Sequence, residues 1–227
     1  MAFDLVGKSQ DFTGELSDLQ NATICNGPRL NCLVFFEDQY AVVGYKINRN
    51  NVRGEAIPLG IRRDPKFFLS VSIHLRPDEQ NEYLMVQSSA MTLRTAPVIA
   101  NANMLLHYDY ERDKEDHYPE AHLQICATSE EWQRAGVRLD GDERLLSKLH
   151  LPVGGRRFRP TLEDIIEFLI VEKLVEARPR RQWTKAIETS REKFREKQLR
   201  AAIRRYPHVA LNQLRKDGKL GKAEDAG

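Results

Sequence analysis

Three of the six histidines fall within sixteen residues, in the runs His107-Tyr108-Asp109-Tyr110 and His117-Tyr118-Pro119-Glu120-Ala121-His122-Leu123-Gln124. Histidine is the side chain whose charge changes most readily near neutral pH. A carboxylate beside it orients the ring and raises its proton affinity, so the two form a usable general acid/base pair. If each run is a strand, side chains alternate between two faces. Leu106, Tyr108 and Tyr110 then share one face with Leu123 and Ile125 of the second strand. His107, Asp109, His122 and Gln124 fall together on the other. In an antiparallel hairpin, facing Cβ atoms are roughly 5 Å apart. These four residues are the candidate catalytic set. Two imidazoles near a carboxylate can also hold a divalent ion. However, the interval from His117 to His122 matches no dedicated zinc pattern and no cysteine stands at ligand spacing, so neither a metal nor a cofactor is expected. The plainer alternative is the wetted face of a sheet whose other face packs on helices.

A second candidate lies in Gly154-Gly155-Arg156-Arg157-Phe158-Arg159-Pro160, just before a helix start at Thr161. Glycines can present backbone N–H groups, arginines add fixed positive charge, and a helix N-terminus adds a partial one. Arg156, Arg157 and Arg159 are candidate phosphate contacts, with Phe158 as a stacking surface for a base. The competing reading pairs these arginines with Glu163, Asp164 and Glu167 of the following helix. Cys126 reads as a core cysteine and His74 as a surface residue. No nucleotide-binding glycine motif, nucleophile elbow, zincin motif or kinase signature is present.

The Tyr108-Asp109 strand followed by the Pro119-x-x-His122 strand opening resembles TumE-type toxins of bacterial toxin–antitoxin pairs, over about residues 105–124. Gln124 stands where that pattern has a further histidine. The resemblance implies an RNA-directed or translation-directed activity under the control of a partner protein.

The elements that must carry these residues are strands first and helices later. Asn31–Phe36 and Tyr40–Ile47 read as a hairpin. Glu55–Arg62 reads as a further strand that Pro58 confines to an edge or a bulge. Phe67–Arg76 alternates Leu69, Val71, Ile73 and Leu75 with Ser70, Ser72, His74 and Arg76. Glu82–Thr95 continues as strand, with a bulge or break expected around Gln87-Ser88-Ser89-Ala90. Met104–Glu111 and Glu120–Ala127 form the histidine pair, and Lys148–Val153 a strand remnant. A short helix is expected near Phe12–Ile24 and another over Thr128–Gly136. Thr161-Leu162-Glu163-Asp164 has capping-box spacing with Asp in the usual Glu position. Further helices are predicted over Gln182–Arg205 and Pro207–Lys216, the latter with Pro at its start and Gly218 past its end. The predicted class is α+β, an antiparallel sheet of six to seven strands followed by about three helices. The expected division is a β-rich domain over residues 1–160 and a basic helical region over residues 161–227.

Composition narrows the function classes. The 227 residues carry 35 Lys and Arg against 33 Asp and Glu. The division is uneven, because residues 177–227 hold 15 basic and 6 acidic residues, a local balance of +9. A cationic tail can neutralise nucleic-acid phosphates. Equally, it can dock on acidic surface of its own chain, a protein partner or a second copy, or remain a solvated helix. No apolar run reaches the length of a membrane span, and residues 1–30 show no basic start followed by an apolar core. Cys25, Cys32 and Cys126 are too few and odd in number for a disulfide scaffold. A cytoplasmic protein with RNA or another nucleic acid, an antitoxin-like protein or a homodimer mate as partner is expected. The rival is a non-catalytic interaction or dimerisation module.

Overall fold

The computed structural model describes residues 3–62, 64–114, 119–127, 151–153 and 159–219. Helix α1 (Leu5–Thr23) precedes strands β1 (Leu30–Phe35), β2 (Tyr40–Tyr45), β3 (Ile57–Leu59), β4 (Phe67–Pro77) and β5 (Leu84–Arg94). A 3-10 turn (Asn101–Asn103) leads to β6 (Met104–Glu111), β7 (Ala121–Ile125) and β8 (Leu151–Pro152). Helices α2 (Leu162–Val171), α3 (Arg180–Arg205) and α4 (Pro207–Lys216) follow. The strands form one antiparallel sheet in the order β1-β2-β4-β5-β6-β7-β8, with β3 pairing β4. The α+β class stands as the sequence predicts. The sheet has eight strands rather than six or seven, because the very short β3 and β8 both pair. The predicted helix over residues 128–136 and the loop Arg156-Arg157-Phe158 lie outside the described residues.

Alternation in β4 sets up two unlike faces. Leu69, Val71, Ile73 and Leu75 are buried. Across the sheet they meet Val43, Met91 and Leu93, also buried. Helix α1 packs over β1, β2, β4 and β5 and touches α2, which brings Leu162, Ile165, Ile166 and Leu169 into the same core. The other face carries Ser70, Ser72 and His74, and continues through Ser88, Ala90 and Thr92 of β5 to His107 and Asp109 of β6. Pro58 sits in the three-residue β3, which pairs only with β4, so its missing N–H disrupts no second ladder. His74 pairs Ser88 while Leu75 pairs Val86, which leaves Gln87 as an extra residue in β5. That is the bulge expected in this stretch.

Helix α1 is much longer than the four apolar positions predict. Its buried face is rich in hydroxyls, with Ser9, Thr13, Ser17 and Thr23 beside Leu5, Leu16 and Leu19. Thr13 Oγ1 donates to the Ser9 carbonyl at 2.7 Å, Ser17 Oγ to Thr13 at 2.8 Å and Thr23 Oγ1 to Leu19 at 2.7 Å. Ser17 Oγ also accepts from the Leu30 N–H at 3.0 Å, tying the helix to β1. Such back-bonding lets Thr13, Ser17 and Thr23 enter the core without an orphaned donor, whereas the buried Ser9 Oγ has no hydrogen-bond partner among the described residues.

Helix α2 opens as its capping spacing predicts, with the Thr161 N–H donating to Asp164 Oδ2 at 2.9 Å. Beyond it, Arg178 closes back on the end of α1. Its N–H donates to the Thr23 carbonyl at 2.8 Å, and its guanidinium donates to the carbonyls of Asn21 (3.3 Å) and Cys25 (3.2 Å) and to Asn26 Oδ1 (3.2 Å). The chain divides into two compact units, Met1–Ile187 and Glu188–Gly227, so α2 and the first turns of α3 belong with the sheet. In the second unit the rest of α3 breaks at Tyr206 and α4 begins on Pro207.

All three cysteines are free thiols. Burial pushes the Cys25 thiol up to about 12, partly countered by the Arg178 charge. At roughly pH 8, near the ordinary thiol range, iodoacetamide is expected to spare Cys25 in the folded protein and to modify it after denaturation. Mass spectrometry of the alkylated peptides checks this, and labelling of Cys25 at the rate of Cys126 would contradict it.

Candidate functional site

Register places the candidate residues side by side. Asp109 pairs His122 and His107 pairs Gln124 across β6 and β7. On the other side, Ala90 of β5 pairs Asp109 and Thr92 pairs His107. The carboxylate is the hub of the group. Asp109 Oδ2 lies 3.5 Å from His107 Nε2 and 3.7 Å from His122 Nε2. All four predicted residues thus share one face of the sheet, and Tyr108 lies on the opposite, helix-covered face. There burial, together with the Asp164 charge, raises the Tyr108 hydroxyl above its ordinary pKa.

The hydrogen bonds of the two rings assign their protons. His122 Nδ1 lies 3.1 Å from the Pro119 carbonyl, which only accepts, so Nδ1 carries the hydrogen. In the neutral ring the lone pair is then on Nε2, the atom nearest Asp109. His107 Nε2 contacts Gln124 Oε1, again an acceptor, so that nitrogen carries the hydrogen in His107. Its Nδ1 faces Met104 Sδ at 3.1 Å. The two imidazoles are therefore unlike: His122 presents a proton acceptor and His107 a proton donor, both within 3.7 Å of one carboxylate oxygen. Gln124 holds the His107 tautomer. His122 is only 6% exposed, so its Nε2 is reached through a restricted opening.

That opening is a cleft of about 470 Å³ on the polar face. Ser72, His74, Ser88, Ala90, Asp109 and His122 line it together with Lys114 and Glu111, whose Nζ and Oε2 atoms pair at 2.8 Å. Among the described residues, no group of three or more His, Cys, Asp or Glu is arranged to hold a metal ion.

Sequence reading treats His74 as an ordinary surface position, and the structure makes it a wall of the cleft. Its ring stacks on Tyr40 at 6.2 Å and 12°, and Tyr40 stacks on Phe35 at 4.6 Å and 11°. The Arg76 guanidinium lies 5.9 Å over Tyr40. Loss of water, and next the Arg76 charge, hold the His74 pKa below its usual value, which keeps this ring neutral. Ser72, Ser88 and Lys114 also line the cleft, and nothing local in the sequence marks them. Alternation in β4 puts Ser72 and His74 on the polar face, but only the order β4-β5-β6 brings them to Asp109.

The arginine loop is described only at its end. Arg159 lies against the core, its guanidinium 5.5 Å from the Tyr110 ring, and Arg112 lies 5.9 Å from the same ring. Loss of water lowers the Arg159 pKa, opposed by Tyr110, Glu163 and Asp164. Arg156, Arg157 and Phe158 lie outside the described residues. Arg94 is a further buried cation. It donates to Ser70 Oγ at 2.8 Å, to the Ala100 carbonyl at 2.6 Å and to Asn103 Oδ1 at 3.1 Å, which fastens the β5–β6 connection to β4.

Comparison of the chain with known protein families, with curated proteins and with solved structures finds no match. The chemistry of the cleft rests on its own geometry.

Proposed function

We propose that the chain cleaves RNA without a metal ion, as a cytoplasmic toxin or defence component, through His122, Asp109 and His107. The observation that carries this reading is the single carboxylate set between two imidazoles of opposite tautomer, with Asp109 and His122 lining the cleft. In the proposed reaction His122 Nε2 takes the proton of a ribose 2′-hydroxyl. The 2′-oxygen bonds to the adjacent phosphorus and the bond from phosphorus to the 5′-oxygen breaks. His107 Nε2–H, in the imidazolium form, gives its proton to the departing 5′-oxygen. The products are a 2′,3′-cyclic phosphate and a 5′-hydroxyl. Asp109 stabilises the imidazolium that forms on His122. Positioned proton transfer of this kind contributes about 10²–10⁴-fold in rate.

Incubating the purified chain with single-stranded RNA, and with DNA of the same base sequence, tests this. RNA is expected to be cut to cyclic-phosphate ends with EDTA present, and DNA, which has no 2′-hydroxyl, to stay intact. Cleavage of both polymers, or loss of RNA cleavage on chelation, would overturn the mechanism.

A second reading is favoured by a different observation. On the second unit Leu199, Ile203, Tyr206, Val209, Leu211 and Leu214 are all exposed, and no residue of α4 is buried. Residues 188–219 also carry 10 Lys and Arg against 4 Asp and Glu. A non-catalytic dimerisation module would use such exposed apolar residues against a second copy. It is expected to elute as a dimer that the double variant Leu211→Glu/Leu214→Glu converts to a monomer. Light scattering on the eluting peak reads the mass, and a wild-type monomer would exclude this reading.

A further inference from the structure

The three stacked rings Phe35, Tyr40 and His74 run across β1, β2 and β4 on the same face as the candidate site. The next positions in that direction belong to β5. There the side chains are Ser88, paired with His74, and Ala90, paired with Asp109. Both are small. The ladder of flat groups therefore stops at His74, and the space over Ser88 and Ala90 is the cleft. Its far wall is Asp109 and His122 of β6 and β7.

The width of this gap selects its occupant. Strands β4 and β6 are two inter-strand steps apart, roughly 9.5 Å. A planar ring in contact with walls on both sides needs about 3.5 Å to each. One ring fits and two do not. The floor is polar through Ser72 and Ser88, which can meet the ring's edge with hydroxyl groups. The Lys114–Glu111 ion pair also lines the cleft. A cleft with a flat aromatic wall, hydroxyls at the edge and an acid/base pair opposite suits a heteroaromatic ring carrying a ribose better than an aliphatic chain.

We propose that the cleft is a nucleobase subsite, in which one base of the RNA stacks on His74 and its ribose reaches His122 and Asp109. This deepens the RNA-cleaving reading and rests on it for the identity of the ligand. Tyr40 and Phe35 back the His74 ring and fix its plane, and Arg76 fixes Tyr40. His74 is thus a binding residue and not part of the proton transfer.

The test uses the full chain and an RNA dinucleotide containing 2-aminopurine, whose fluorescence is quenched on stacking. Wild type is expected to quench it saturably. His74→Ala is expected to weaken binding about 5- to 100-fold, the loss typical of removing one stacking partner. His74→Phe, which keeps a flat ring, is expected to bind within a few-fold of wild type. Ser88→Phe, which fills the gap, is expected to abolish quenching, and it also covers the case in which a His74 variant folds poorly. Absence of quenching by wild type, or unchanged quenching by both His74→Ala and Ser88→Phe, would overturn the subsite. The two proposals separate cleanly. Quenching without RNA cleavage removes the enzyme and leaves the base site. Cleavage by His74→Ala with an unchanged KM removes the base site and leaves the enzyme.

Discussion

Replacing His122 with Ala is expected to lower kcat for RNA cleavage by about 10²–10⁴-fold while leaving KM nearly unchanged. The lone pair on His122 Nε2 is available because Nδ1–H is committed to the Pro119 carbonyl. Alanine removes the acceptor of the 2′-hydroxyl proton, and no neighbouring group can replace it at the same place. Asp109 faces the same cleft, but it also faces His107 Nε2 at 3.5 Å. His107→Ala is expected to fall in the same range through loss of the leaving-group proton. The double variant His107→Ala/His122→Ala should be no slower than the product of the two single effects, because residues that act as a unit are not additive. Single-turnover assays on a labelled oligonucleotide measure this. Unaltered cleavage by the double variant would remove both histidines from the mechanism.

Leu169→Ala is expected to destabilise the first unit by about 2–5 kcal/mol, the usual cost of emptying a filled core position. Leu169 is fully buried, as is Ile166, and both lie on α2. A helix that only decorated a finished sheet would tolerate this change at its surface. Here α2 shares the core with α1, and the residues just after it are fastened to α1 by Arg178. Urea unfolding followed by far-UV circular dichroism reads the difference as a shifted midpoint with unchanged slope. A loss below about 0.5 kcal/mol, the range of ordinary surface substitutions, would show that α2 is not part of the core.

Much of the sheet was legible because period-two alternation is a local signal. The β4 pattern from Leu69 to Arg76, the Pro58 edge strand and the irregularity at Gln87 follow from neighbours in sequence alone. The starts of α2 and α4 were legible for the same reason, since caps and Pro positions are local. The length of α1 was not. Its buried stripe is hydroxyl-rich, and a hydrophobic period cannot show Thr13, Ser17 and Thr23 entering a core through back-bonds to their own helix. The pairing of Asp109 with His122 follows from one hairpin. The contribution of His74 depends on strand order across β4, β5 and β6, which is a tertiary property. The compact units meet at residues 187 and 188, and the apolar stripe of α2 does not by itself say which surface it covers.

The Arg178 clasp has a consequence for how the polypeptide is made. Its partners Asn21, Cys25 and Asn26 are translated more than 150 residues earlier. Contacts of such large sequence separation form late and slow folding, since loop closure precedes any reward. On the ribosome, the nascent N-terminal helix and sheet must wait for the segment around residue 178 to emerge before that end is sealed. Through most of elongation the unfinished layer exposes apolar surface, which is the condition under which an incomplete chain aggregates.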